Sequence, residues 1–156
     1  MKEFLQHLAQ VSAEQTLPRF RSSLAVDNKL EAESTPAFDP VTEADREAER
    51  AIRAAISERF PGDRILGEEF GLTNPDALNG WIIDPVDGTR AFISGVPLWG
   101  TLVGRHEGNT MVAGLMHQPF TGETYVATRD GAWLIHNGVE HTLKTSATER
   151  VEDAKL

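Results

Sequence analysis

Trp81-Ile82-Ile83-Asp84-Pro85-Val86-Asp87-Gly88-Thr89 decides the reading of this chain. An apolar run of β-formers feeds directly into a turn that carries two carboxylates three positions apart. Pro85 stiffens the bend, Gly88 permits a positive φ or a close backbone approach, and Thr89 is placed to cap a short helix through Arg90-Ala91-Phe92. A helix N-terminus attracts anions by its dipole, whereas two neighbouring carboxylates repel them. A bound divalent cation resolves that conflict, which makes phosphate plus metal the natural ligand. Upstream, Gly67-Glu68-Glu69 ends a second apolar run, Ile65-Leu66. If the two runs are neighbouring strands, Glu68, Asp84 and Asp87 meet at one sheet edge, where they cannot all stay ionised without a cation. The candidate donors are all hard oxygens, which selects Mg²⁺ or Mn²⁺ over zinc. A lone D-x-x-D is ordinarily an Asx-turn or a helix cap, and Glu-Glu in a loop is ordinarily solvated. The ordered surroundings here favour the metal.

Working outward, the chain is helical first and extended afterwards. Phe4, Leu8, Val11 and Gln15 form one stripe, widened by Leu5, Ala9 and Ala13, which predicts an amphipathic helix over about residues 3–16, ended or kinked by Pro18. Val26 to Pro40 has charge, Ser, Thr and two prolines without a period and reads as a loop. Thr42 then serves as N-cap, with Asp45 in the capping-box position, and Ala44, Ala48, Ile52, Ala55, Ile56 and Phe60 make the stripe of a second helix. Pro61-Gly62 stops it. Later β-type runs at Leu98–Arg105, Met111–Met116, Thr124–Thr128, Trp133–His136 and Val139–Leu143 are separated by turn signals, of which Asn137-Gly138 is the strongest. The expected class is α+β, with two N-terminal helices packed on a largely antiparallel sheet.

Composition narrows the function. With 15 Lys+Arg against 24 Asp+Glu, the 156-residue chain carries a net charge of −9, which argues against nucleic-acid binding. Cysteine is absent, so thiol nucleophiles, disulfides and zinc-thiolate sites are excluded. The N-terminus lacks an apolar run of signal-peptide length and no later stretch is long enough to span a bilayer, so a cytoplasmic, soluble protein without a membrane partner is expected. His7, His106, His117, His136 and His141 have no metal-ligand spacing and read as strand or surface residues. Trp99 and Trp133 read as core, and Lys29 as a solvated loop charge.

The segment Asp84 to Thr89, with the Trp-Ile-Ile before it, resembles the signature of the inositol monophosphatase family of Mg²⁺-dependent, lithium-sensitive phosphatases. Gly67-Glu68-Glu69 is similar to its upstream acidic motif, and Asp39-Pro40-Val41-Thr42-Glu43-Ala44-Asp45 to the D-x-V-T-x-x-D segment that opens its second helix. Arg90-Ala91-Phe92-Ile93-Ser94-Gly95, Trp99-Gly100-Thr101 and Gln118-Pro119-Phe120 resemble the bacterial histidinol-phosphatase branch. The resemblance implies the first lobe of a layered αβαβα fold. It implies two or three Mg²⁺ ions, with Mn²⁺ as a substitute. Glu68, Asp84 and the Val86 carbonyl would hold one ion, and Asp84 with Asp87 a second. Thr89, backed by Asp45, would orient the attacking water; the amides of Gly88 and Thr89 would hold phosphate; Glu69 would act from behind the ligands. Arg90 is the feature that separates histidinol phosphate, the leading substrate, from inositol 1-phosphate or a broad sugar phosphate. The non-enzyme alternative is a catalytically incomplete fragment that binds Mg²⁺ and phosphate. The family's Trp-Asp motif, which completes the second metal site, has no counterpart here, since the tryptophans are followed by Ile82, Gly100 and Leu134. Residues 1–145 are therefore expected to be a metal-binding lobe, 146–156 the start of a second lobe or a frayed tail, and the full-length enzyme a homodimer.

Overall fold

The computed structural model describes residues 1–22, 26–28 and 40–154. α1 (Lys2–Thr16) buries Phe4, Leu5, Leu8, Ala9, Ser12 and Thr16. Its inward stripe is rotated slightly from the expected line, because Val11 and Gln15 are only half-buried. Two small polar residues can face inward because their hydroxyls find partners: Thr16 Oγ1 donates to the Ser12 carbonyl (3.0 Å), and Ser12 and Thr101 share a 2.6 Å hydrogen bond. α1 ends ahead of Pro18, as its fixed φ dictates. α2 (Glu43–Arg59) starts in the expected capping box, with the Thr42 backbone N–H donating to Asp45 Oδ2 at 2.9 Å.

Both helices lie on one face of an eight-stranded sheet. Its strands are β3 (Arg64–Gly67), β4 (Gly71–Thr73), β5 (Asn79–Asp87), β6 (Gly100–Glu107), β7 (Thr110–Gln118), β8 (Glu123–Thr128), β9 (Gly131–His136) and β10 (Val139–Leu143). They run in the order β10-β9-β8-β7-β6-β5-β3-β4. Every pairing is antiparallel except β3 with β5, which is parallel. The α+β expectation holds. The predicted loop from Val26 to Pro40 needs correction, because β1 (Val26–Asn28) pairs antiparallel with β2 (Pro40–Thr42) as a separate ribbon. Three-residue strands carry no alternation to read, and their pairing satisfies backbone groups without any side-chain pattern. Residues 29–39, with Lys29 and Asp39, lie outside the described residues.

Alternation along β5 gives the sheet two unlike faces. Trp81 and Ile83 join Leu5, Leu8, Ile52, Ile56, Val103, Leu115 and Val126 in the core beneath the helices. A second cluster of Phe20, Ala44, Val86, Phe92 and Trp99 sits under the Asp84–Thr89 turn and anchors it. Among the described residues no helix packs on the opposite face. Across it, paired positions run Leu66, Ile82, Gly104, Gly114, Ala127, Ala132 and Leu143, a trough of small residues between larger apolar walls. It forms a shallow apolar groove of about 540 Å³, with Asp84 at its edge. Exposed apolar area of this kind associates with other apolar surfaces. The isolated chain is expected to enhance the fluorescence of an apolar dye and to self-associate as its concentration rises. A monodisperse monomer that leaves the dye dark would refute this.

Among the described residues no helix is long and apolar enough to cross a membrane. Trp99 is buried as expected, and His117 is a strand residue whose Nδ1 lies 2.9 Å from Thr124 Oγ1 and 3.1 Å from the Glu123 carbonyl.

Candidate active site

The site forms where β3 and β5 end together. Their parallel register pairs Gly67 with Ile83, and the Glu68 N–H donates to the Ile83 carbonyl at 3.2 Å, so Glu68 emerges beside Asp84. Three residues apart on a regular strand, Asp84 and Asp87 would point to opposite faces. The β5–β6 register shifts between them, from Asp84 opposite Leu102 to Asp87 opposite Gly100. Two steps on β6 match three on β5, so this one-residue bulge returns Asp87 toward the side of Asp84. Pro85, which lacks an N–H to donate, suits the irregular position. Its carbonyl accepts from Thr101 Oγ1 (2.9 Å), which joins the turn to Ser12 of α1.

Gly88 is left-handed (φ 87°), and a Cβ there would lie 2.8 Å from the Leu98 carbonyl oxygen. Only glycine meets both conditions. Gly88, not Thr89, is the N-cap of α3 (Thr89–Ile93), which corrects the expected cap. The Thr89 hydroxyl is therefore available for other work. It lies 3.0 Å from the Val86 carbonyl and 3.4 Å from Asp45 Oδ1. The other oxygen of buried Asp45 accepts from the Thr42 hydroxyl at 2.5 Å, so the capping box of α2 also fixes the carboxylate behind Thr89.

Electrostatically the centre is Asp84. Burial, then the charge of Glu68 and a hydrogen bond with it, then Asp87 and Asp45, push its carboxyl up to about 7. Its Oδ1 is buried and has no hydrogen-bond partner among the described residues. A crowded carboxylate with an orphaned oxygen, in an all-oxygen donor set, fits a hard divalent cation. The cage is not closed: among the described residues, no three acidic or histidine side chains are gathered tightly enough to hold an ion as they stand. Glu68 and Asp87 are exposed, Glu69 is half-buried beside them, and Arg90 is exposed on the first turn of α3.

The model of the inositol monophosphatase family matches residues 1–156. The chain belongs to the inositol monophosphatase family. It is similar to the histidinol-phosphatase of Chlorobaculum parvum, 43% identical over 132 residues, covering 84% of this chain and 48% of that protein. It is also similar to the inositol-1-monophosphatase of Mycobacterium bovis, 34% identical over 136 residues, covering 83% of this chain and 47% of that protein. Among solved structures, the extragenic suppressor protein suhB of Bartonella henselae superposes with a TM-score of 0.81 at 27% identity, covering 96% of this chain and 55% of that one. The chain spans about half the length of the curated relatives it matches.

Membership fits the convergence of Glu68, Asp84, Asp87, Thr89 and Asp45. The residue that sequence reasoning missed is Glu49, fully buried on α2, whose carboxylate reaches the backbone of Glu69 and Phe70. A signal was present, since Asp45, Glu49 and Arg53 repeat at every fourth position inside an apolar stripe.

Proposed function

We propose that the chain is the metal-binding half of a phosphomonoesterase that hydrolyses a small phosphate monoester, histidinol phosphate first among the candidates. The observation that carries this reading is Asp84, held half-buried and driven toward neutrality against Glu68, Asp87 and Asp45 beside the Thr89 hydroxyl. Glu68, Asp84 and the Val86 carbonyl would hold one Mg²⁺ or Mn²⁺ and Asp84 with Asp87 a second, of two or three ions in all. When bound, such ions neutralise the carboxylates, lower the pKa of a coordinated water and offset charge on the leaving oxygen.

The chain's own residues do the positioning. A threonine hydroxyl has one proton and two lone pairs. With the Thr89 proton directed to the Val86 carbonyl or Asp45, its lone pairs are left to accept a proton from a water and so orient that water. The amides of Gly88 and Thr89, at the start of α3, would receive phosphate oxygens, and Glu69 would support Glu68. On this reading residues 1–145 would be the lobe that holds these groups, and 146–156 either the start of a second lobe or a frayed tail. A homodimer of the full-length enzyme in the cytoplasm belongs to the same reading through the family resemblance.

Histidinol phosphate leads because the 43%-identical relative is a histidinol-phosphatase and Arg90 follows the Asp84–Thr89 motif. Inositol 1-phosphate is the second reading, supported by the 34%-identical relative. With Mg²⁺ present, phosphate release from both substrates should be low for this chain alone. It should rise for the chain fused to the C-terminal half of the Chlorobaculum histidinol-phosphatase, more for histidinol phosphate, and fall with lithium. If the fusion is folded and releases neither phosphate, the reading fails.

A further inference from the structure

Glu49 lies on α2 with its side chain 0% exposed. A buried carboxylate is costly unless charge and hydrogen bonds compensate it, and three donors do so here. Arg53 Nε donates to Oε1 at 2.7 Å, the Glu69 N–H to Oε2 at 2.7 Å, and the Phe70 N–H to Oε1 at 3.3 Å. Arg53 extends the grip with its other two nitrogens, one to the Gly71 carbonyl and one to Thr73 Oγ1 (3.1 Å). Two α2 side chains, one turn apart, thus hold the segment that follows Glu68 mostly by its backbone. The residue before Glu68 is shaped to admit them: a Cβ on Gly67 would lie 1.8 Å from Glu49 Oε1. On its N-terminal side Glu68 is fixed by its own N–H on the Ile83 carbonyl. Its backbone is therefore held on both sides, by β5 before and by Glu49 after.

We propose that Glu49, with Arg53, is a positioning residue of the cation site: it aims Glu68 at Asp84 and thereby sets the divalent-cation affinity, an inference that rests on the metal reading above. Nothing in the carboxylate set itself requires a second acid on α2. If Glu49 only braced the fold, its two backbone hydrogen bonds would not need to fall on the two residues that directly follow a ligand. The connection from Asp45 to Glu49 on one helix face also couples the two halves of the site. One turn of α2 holds the carboxylate behind Thr89, and the next holds the strand end that carries Glu68.

The test is Glu49→Gln in the intact chain. A glutamine keeps the shape but turns an amide N–H₂ toward a backbone donor, so at least one of the Glu69 and Phe70 N–H groups loses its acceptor. Expected results are faster amide hydrogen exchange at those two residues and a Kd for Mn²⁺ weakened about 10–100-fold, the range for groups that orient metal ligands. Ile52→Val, a buried change on the same helix, serves as the stability control and should leave the Mn²⁺ Kd unchanged. Two results would overturn the proposal: faster exchange with a wild-type Mn²⁺ Kd, or an equal loss of affinity in Ile52→Val. Should Glu49→Gln fail to fold, Arg53→Lys reads the same two quantities with a smaller change in the same direction. Wild-type protein that binds no Mn²⁺ at millimolar concentration overturns the metal reading and this proposal together, an outcome distinct from binding that Glu49→Gln leaves intact.

Discussion

Replacing Asp84 with Asn is expected to abolish binding of Mg²⁺ and Mn²⁺ and, in the metal-free protein at pH 8, to raise the thermal midpoint. The two effects share one cause. Burial and then Glu68, Asp87 and Asp45 lift the Asp84 carboxyl from its ordinary 3.8 to about 7. A folded pKa above the unfolded one means that the folded state holds the proton more tightly. Its contribution to stability is complete below pH 3.8 and is lost as pH rises through about 7. At pH 8 the ionised carboxylate opposes folding, and Asn removes it. Asp84 is only half-buried, so solvent screening reduces the gain to the order of 1 kcal/mol, which is about 2–4 °C for a domain of this size. The gain should shrink through pH 6 and vanish near pH 4. Added Mg²⁺ should reverse the order of the two proteins, because only wild type binds it, and wild-type affinity should rise with pH until Asp84 is ionised. Scanning calorimetry at the three pH values, with chelator and with Mg²⁺, checks each step. An Asp84→Asn protein less stable than wild type at pH 8 without metal would refute the account.

Most of this arrangement can be read from the chain because a few residues carry strong local signals. Trp81-Ile82-Ile83 running into Asp84-Pro85-Val86-Asp87-Gly88-Thr89 reveals both the strand and the carboxylates it delivers. Thr42 and Asp45 mark the start of α2, and Asn137-Gly138 the β9–β10 hairpin, since each backbone geometry there demands those side chains. What stays hidden depends on pairing rather than pattern. β1, β2 and the exposed edge strand β4 are three residues long and show no alternation. The bulge that returns Asp87 to the side of Asp84 is a register event between β5 and β6, which no single strand encodes. Glu49 is concealed for a different reason. An acidic residue in a stripe of alanines and isoleucines ordinarily faces water, and only the folded position of the Glu69 and Phe70 amides explains why it does not.

The other large effect concerns the core that fixes β5 in place. Trp81→Ala is expected to cost about 3–5 kcal/mol, a substantial share of the roughly 5–15 kcal/mol that holds a domain together. The indole is fully buried, with ring centroids 5.6 Å from Phe4 and 5.4 Å from Phe60, and the Arg105 guanidinium 5.5 Å from its own. Its Nε1 donates to Asp63 Oδ2 at 3.0 Å. Truncation would open a cavity where α1, α2 and the sheet meet, and would leave Asp63 with Arg105 at 3.6 Å as its remaining ion partner. Ile82→Ala, one residue along on the other face of β5, should change stability by no more than about 0.5 kcal/mol, because Ile82 is 46% exposed. Urea unfolding of the two variants measures the asymmetry directly. Equal losses would mean that the face carrying Ile82 is covered in solution, by a second copy or by other chain. A small loss at Trp81 would mean that the helices do not seat on this face of β5, and the placement of Asp84 at its end would lose its support.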